Sequence, residues 1–280
     1  MVPQSSVPTS ARIAFIGGGN MARSLVGALI RGGVHADAVT VAEPNADLRE
    51  ALARDFGVST HASARDAAQD ADVLVLAVKP QVLKTVCGEL ADLVTARRPM
   101  VISIAAGIRI EQLHRWLGAD VPIVRSMPNT PALIGAGATG LIANETTSPD
   151  QRALAQAILG AAGRTVWIDD ERQMDVVTAL SGSGPAYFFL LVEALEDAAV
   201  AQGLPRAAAR ALATQTCHGA GRMLIEEEEP ASVLRERVTS PGGTTAAALD
   251  AFAAGGLREL VAGAVDAATR RGRTLSESHL

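Results

Sequence analysis

The spacing Gly17-x-Gly19-x-x-Ala22 constrains this chain more than any other feature. It follows an apolar run of strand length, Arg12-Ile13-Ala14-Phe15-Ile16, and opens a helical pattern that runs to about Arg31 and stops at Gly32-Gly33. A second short apolar run, Val39-Thr40-Val41-Ala42, comes next. In such a strand–turn–helix–strand unit the first glycine permits the tight turn. The second lets a pyrophosphate approach the backbone, and the small third residue lets the helix pack closely on the strand. The helix start then offers free N–H groups and the positive end of its dipole to the phosphates. The segment Gly17-Gly18-Gly19-Asn20-Met21 is therefore expected to hold a dinucleotide.

The rhythm continues. Asp47 to Phe56 reads as a helix ending at Gly57, and Val73 to Val78 as a strand buried on both faces. Val101–Ile104 and Val121–Val124 read as further strands, and Thr165–Ile168 as one more. Alternating strands and helices predict a doubly wound, parallel α/β sheet of the Rossmann type. From Glu171 onward the pattern is helical throughout: Tyr187 to Gln202, Arg206 to Ile225, Thr244 to Phe252 and Leu257 to Arg271. The expected organisation is a disordered polar tail over 1–10, a dinucleotide-binding domain over 11–168 and an all-α domain over 169–280.

Composition narrows the function. Aromatic residues are only 3% of the chain, so its cores must be built of Ala, Val, Leu and Ile. The net charge is −5 with scattered basic residues, which argues against nucleic-acid binding. The two cysteines, Cys87 and Cys217, form no Cys-x-x-Cys motif, so neither a disulfide framework nor a zinc site is expected. The stretch Ala186–Leu195 is interrupted by Glu193 and reads as too short to span a membrane. The N-terminal residues lack the apolar core of a signal peptide, which makes a cytoplasmic protein the expectation. Glu226-Glu227-Glu228-Glu229 reads as a solvated loop.

Other candidates fall at strand ends and helix starts. Glu43 closes the second strand, where a carboxylate accepts from an adenosine ribose and repels a 2′-phosphate. Ala77-Val78-Lys79-Pro80 follows another strand, at the edge where open α/β sheets bind ligands. Ala105 and Ala106 follow a third, and their small side chains would let a cofactor approach the backbone. In the helical half, Ser240-Pro241-Gly242-Gly243-Thr244-Thr245 opens a helix with three hydroxyls besides Thr239 and no charged side chain, which suits a carboxylate. No Ser-His-Asp order, paired carboxylates or His-rich spacing suggests hydrolysis. A site without an ordinary general acid suits hydride transfer to an already protonated acceptor such as an iminium carbon.

These segments together resemble the pyrroline-5-carboxylate reductase family. The resemblance is carried by Phe15 to Ala22, Ala77 to Gln81, Ser103 to Gly107, Met127-Pro128-Asn129-Thr130-Pro131-Ala132, Leu180 to Tyr187 and Val238 to Thr245, and it spans about Arg12 to Arg271. It implies a cofactor set of Ile16 to Met21, Glu43, Ala77 to Pro80, Ala105 and Ala106. It implies hydride transfer from NADPH or NADH to C5 of 1-pyrroline-5-carboxylate, giving L-proline, with a homodimer that can assemble into a decamer. It places the substrate carboxylate on the amides of Gly243, Thr244 and Thr245 with help from Ser240, and the Thr245 hydroxyl near the ring nitrogen. By the same likeness Glu171 is a carboxylate approaching the imine across the dimer. Glu43 departs from the small polar residue often found at its position, and Ala64 stands where an Asn is common, so NADH is expected to be used comparably to NADPH or better. Two rivals stay open at this point: a reductase of a six-membered cyclic imine such as piperideine carboxylate, and a non-catalytic dinucleotide-binding protein.

Overall fold

A computed structural model of the chain describes residues 11–278; the expected tail over 1–10 and His279 lie outside the described residues. The elements run β1 (Ile13–Ile16), α1 (Asn20–Arg31), β2 (Val39–Ala42), α2 (Ala46–Phe56), β3 (Ser59–His61), α3 (Ala64–Ala68), β4 (Val73–Leu76) and α4 (Pro80–Arg97). They continue with β5 (Met100–Ser103), α5 (Ile110–Leu117), β6 (Ile123–Met127), β7 (Gly137–Ala143), α6 (Pro149–Gly160) and β8 (Gly163–Trp167). The helical series is α7 (Met174–Val177), α8 (Gly184–Ala201), α9 (Arg206–Glu226), α10 (Ala231–Arg237), α11 (Thr244–Ala254) and α12 (Leu257–Ser278).

The strands form one sheet in the order β3-β2-β1-β4-β5-β6-β7-β8. From β3 to β6 every pair is parallel. The doubly wound parallel sheet expected is found there; beyond it β7 runs antiparallel to β6, and β8 is parallel to β7. The short connection after β6, built on a 3₁₀ turn at Thr130–Ile134, leaves no room for a crossover helix, so the chain must turn back.

Helices cover both faces, and β1 shows why. Ile13 and Phe15 enter one core cluster with Leu25, Leu29, Leu52 and Ile102, while Ala14 and Ile16 enter another with Leu74, Leu76, Leu83 and Leu90. Successive strand side chains point to opposite faces, so a strand apolar at every position must be buried on both. Each large side chain removed from water here contributes about 1.5–3 kcal/mol.

The described residues form two compact units, 11–182 with 268–278, and 183–267. Helical structure begins near the expected residue 169, but compactness divides the chain later, after Gly182. The segment between belongs with the sheet because Val177 packs on β7: a Cβ on Gly140 would come within 2.5 Å of Val177 Cγ1. Asp175 accepts a hydrogen bond from Ser276 near the end of α12 at 3.3 Å, which ties that terminus to the same unit.

In the unit 183–267, α8 packs on α9. Phe188 is 61% and Phe189 68% exposed within the single chain. The helical run Glu171–Ala201 is long and apolar enough to cross a membrane by length and composition, which corrects the expectation of a stretch too short to do so. Within the single chain only 17% of its most apolar window is buried. Glu196 on α8 is buried and holds Arg206 at 3.0 Å and Arg210 at 3.4 Å from α9. The Asp197 and Glu196 carboxylates raise the Arg206 pKa above its usual value.

Candidate active site

The sheet register brings the expected cofactor residues onto one edge. Ile16 is level with Ala42 on β2 and with Leu76 on β4, and Leu76 is level with Ser103 on β5. Gly17, Glu43, Ala77 and Ile104 therefore each stand one residue beyond the carboxyl end of a strand. The strand order reverses direction between β1 and β4, which is where open α/β sheets bind their ligands.

Gly17 adopts φ +110, and a Cβ there would lie 2.8 Å from the Ala77 backbone. Only glycine meets both conditions. Its N–H donates to Ala42 O at 2.8 Å, and Ala77 N donates to Ile16 O at 2.8 Å, so the turn is sewn to both neighbouring strands. The Ile16 side chain is buried, leaving only its backbone at the edge. Gly19 caps α1 with no side-chain hydrogen bond, and the first turn of α1 carries no acidic residue. A Cβ built on Gly19 would meet no atom within 4 Å. An open approach, unneutralised N–H groups at Asn20 and Met21 and the positive end of α1 fit a pyrophosphate.

Glu43 does not stand free. Its Oε2 accepts from Gly18 N at 2.9 Å and its Oε1 from Asn45 N at 3.0 Å, so the carboxylate is held against the glycine turn. Arg49, one turn into α2, donates to the carbonyls of Glu43 and Pro44, each at 2.8 Å, and brings a cation to the same strand end. Arg23 is committed elsewhere. It pairs with Asp55 and lies over the Phe56 ring at 5.0 Å. The Arg23 hydrogen bond holds the Asp55 carboxyl below its usual pKa.

Lys79 is exposed and caps α4 without a side-chain bond, with Pro80 as the first helical residue. Ala106 is exposed, while Ala105 is buried, its N–H donating to Ser103 Oγ at 3.3 Å. Ala64 is the first residue of α3, which Ser63 caps.

In the helical unit the Ser240 to Thr245 residues form one turn. Gly242 adopts φ +68, and α11 starts at Thr244 with no side-chain cap and no acidic residue in its first turn. The Gly243 amide, one of those expected to meet the carboxylate, donates to Ser240 O at 3.0 Å and closes the turn. The amides of Thr244 and Thr245, in the first turn of the helix, have no intrahelical acceptor. Ser240 is exposed and Thr245 half-buried within the single chain.

In the run Glu226–Glu229 the first three residues are exposed, as expected of a solvated run, and two of the four glutamates also share one cation. Glu226 ends α9, while Glu227 and Glu229 hold Arg237 at 3.0 and 2.6 Å. That bracket fixes the end of α10, three residues before Ser240. In the sequence it shows as an acidic run followed eight to ten residues on by Arg237.

Within the single chain Glu171, expected to approach an imine across the dimer, is held by two neighbours. Its Oε1 accepts from Arg125 of β6 and from Ile110 N at the start of α5, each at 2.8 Å. Arg125, buried to 4% side-chain exposure, has no sequence signal, because its partner lies 46 residues further on. Cys87 is buried in the sheet core, and burial pushes its thiol up to about 12.

Comparison with known proteins finds matches in both halves of the chain. Residues 171–275 match the pyrroline-5-carboxylate reductase dimerisation family, and residues 12–107 match the family described as NADP oxidoreductase, coenzyme F420-dependent. The chain is 48% identical over 269 residues to a pyrroline-5-carboxylate reductase of Pseudomonas aeruginosa, covering 96% of this chain and 98% of that one. It is 45% identical over 264 residues to one of Haemophilus influenzae, covering 94% and 97%. Among solved structures, a pyrroline-5-carboxylate reductase from Coxiella burnetii superposes with TM-score 0.93 at 45% identity, over 95% of this chain and 98% of that one. A Plasmodium falciparum pyrroline carboxylate reductase with NADP bound superposes with TM-score 0.83 at 28% identity, over 96% and 99%. A likeness of this depth runs through the NADP-binding sheet and the helical dimerisation region alike, and the chain belongs to the pyrroline-5-carboxylate reductase family.

Proposed function

We propose that this chain reduces 1-pyrroline-5-carboxylate to L-proline, the last step of proline biosynthesis, as an NAD(P)-dependent homodimer. The observation that carries the reading is a pair of helix starts, α1 and α11. Both lack a side-chain cap and an acidic first turn. One opens on a glycine with free space beside it, and the other on serine and threonine hydroxyls.

The first start would hold the cofactor pyrophosphate on the amides of Asn20 and Met21. Ala77 to Pro80 and Ala105–Ala106 would line the same strand edge. When bound, the reduced nicotinamide supplies the hydride that neutralises an iminium carbon. At the second start, the Thr244 and Thr245 amides and the Ser240 hydroxyl would take the substrate carboxylate, and the Gly243–Ser240 hydrogen bond keeps that turn closed around it. The Thr245 hydroxyl would orient the ring nitrogen and hold its proton. Orientation of this kind can supply a large part of the rate.

The NADP-binding domain accepts NADPH, and we propose that NADH serves comparably. Glu43 at the end of β2 favours a free 2′-hydroxyl, while Arg49 beside it offsets repulsion of a 2′-phosphate. Unpaired thiols at Cys87 and Cys217 support a reducing, cytoplasmic setting. The family likeness supports a decamer of five dimers as the larger assembly, which sedimentation velocity checks. Steady-state assays of the purified protein with pyrroline-5-carboxylate and either cofactor test the whole reading. Proline should form with both, at kcat/KM values within about tenfold of each other, or about 1.4 kcal/mol. No proline with either cofactor would refute the activity, and an NADPH advantage above about a hundredfold would refute the dual preference.

A further inference from the structure

Strand β6 ends at the cofactor edge, and alternate residues along it and just beyond face the segment Glu171–Gly182. Arg125 binds the Glu171 carboxylate at 2.8 Å. Met127, two residues on, lies against Gly182, where a Cβ would come within 2.7 Å of its Cε. Asn129, two further, donates from Nδ2 to Ser181 O at 2.9 Å, inside a π-helical turn at Thr178–Gly182, and accepts from Ala138 N at 2.9 Å. A π turn inside a helical run strains the backbone ladder and persists where neighbours hold it. Here the opening of the dimerisation region is fastened along one strand.

Glu171 has a second attachment. The oxygen that takes Arg125 also accepts the Ile110 amide. Ile110 is the first residue of α5, where a carboxylate also meets the positive end of the helix. The loop entering α5 is the one that carries Ala105 and Ala106. Within it Gly107 adopts φ +76, and Ile108 is buried in the core. The far end of that loop is thus tied to Glu171, and its near end to β5 through Ser103.

We infer that Glu171 is a positioning residue: with Arg125 it fixes the Ala105–Arg109 loop at the cofactor edge to the first residue of the dimerisation region. It holds the loop and does not exchange a proton with substrate. The inference rests on the proposed cofactor contact of Ala105–Ala106, and it makes cofactor affinity depend on a residue that touches neither cofactor nor substrate.

The test compares Glu171→Ala, Glu171→Gln and Arg125→Lys with Ala106→Phe as an independent probe of the loop. The readouts are NADPH dissociation constant by fluorescence titration and the pH profile of kcat/KM. Removing a hydrogen bond to a charged group predicts that Glu171→Ala weakens NADPH about tenfold or more. Glu171→Gln keeps an acceptor for Ile110 N and should weaken it about threefold, with Arg125→Lys between the two. All should retain the wild-type pH profile. If Ala106→Phe leaves NADPH affinity unchanged, the loop is not a cofactor contact and the underlying reading fails. If Ala106→Phe weakens NADPH while Glu171→Ala, or Glu171→Gln where the alanine variant does not fold, leaves it unchanged, the positioning role fails. Loss of a limb of the pH profile in Glu171→Gln would instead mark Glu171 as a proton-transfer group and overturn the inference.

Discussion

The helix starts of α1 and α11 look alike in sequence and differ in how they are held. Each follows a glycine of positive φ, Gly17 at +110 and Gly242 at +68. The α1 start is locked by the strands around it, and seven of its residues, from Ala22 to Leu29, are buried. The α11 start is closed by its own Ser240–Gly243 bond, and no residue of α11 is buried within one chain. One cradle is therefore pre-organised by its own sheet. The other belongs to a unit whose apolar faces need the partner chain before they leave water. Cofactor binding should survive in a monomer, and substrate capture should not.

The most forceful way to break this comparison is to separate the partners. Phe189→Glu places a charge on the exposed face of α8. It should abolish proline formation and shift sedimentation to the monomer while leaving the NADPH dissociation constant within about threefold, since the sheet unit is untouched. Weakened cofactor binding in that monomer would show that the first cradle also depends on the dimer. A smaller effect separates the two glycines. Gly17→Ala meets the Ala77 backbone and a forbidden φ together and should weaken NADPH about a hundredfold with a lowered Tm. Gly242→Ala has open space around it and pays only for its left-handed backbone, about 1 kcal/mol. The smallest effect is Asp55→Asn behind the first cradle. Arg23 lowers the Asp55 pKa, so that pair stabilises the fold above the unfolded value of 3.8 and its contribution fades as pH falls through the lower folded value. The Tm gap between wild type and Asp55→Asn should be present at pH 7 and close below pH 3.8.

What could be read in advance follows the same division. The glycine turn was legible because strand, turn, helix and next strand are neighbours along the chain. The Ser240–Thr245 turn was legible as chemistry, by its hydroxyls at a helix start. The bond that spends the Gly243 amide was not, since only the folded turn decides which backbone groups pair. Strand β7, with the sequence Gly-Ala-Thr-Gly-Leu-Ile-Ala, lacks the β-branched density of its neighbours. It is a strand because β6 and β8 flank it and Asn129 holds Ala138 N. Helix α10 was masked by the glutamates and Pro230 before it. The Arg125–Glu171 pair is not legible in the sequence, because a buried cation and its partner are matched by the fold and not by spacing.

We propose that α1 receives the cofactor and α11 the substrate carboxylate. That assignment is tested most directly by measuring both affinities in Ser240→Ala and Thr245→Ala. KM for pyrroline-5-carboxylate should rise about tenfold in Ser240→Ala, and kcat should fall about a hundredfold in Thr245→Ala. Both variants should bind NADPH as the wild type does. Wild-type kinetics in both variants, or a loss confined to NADPH binding, would contradict it.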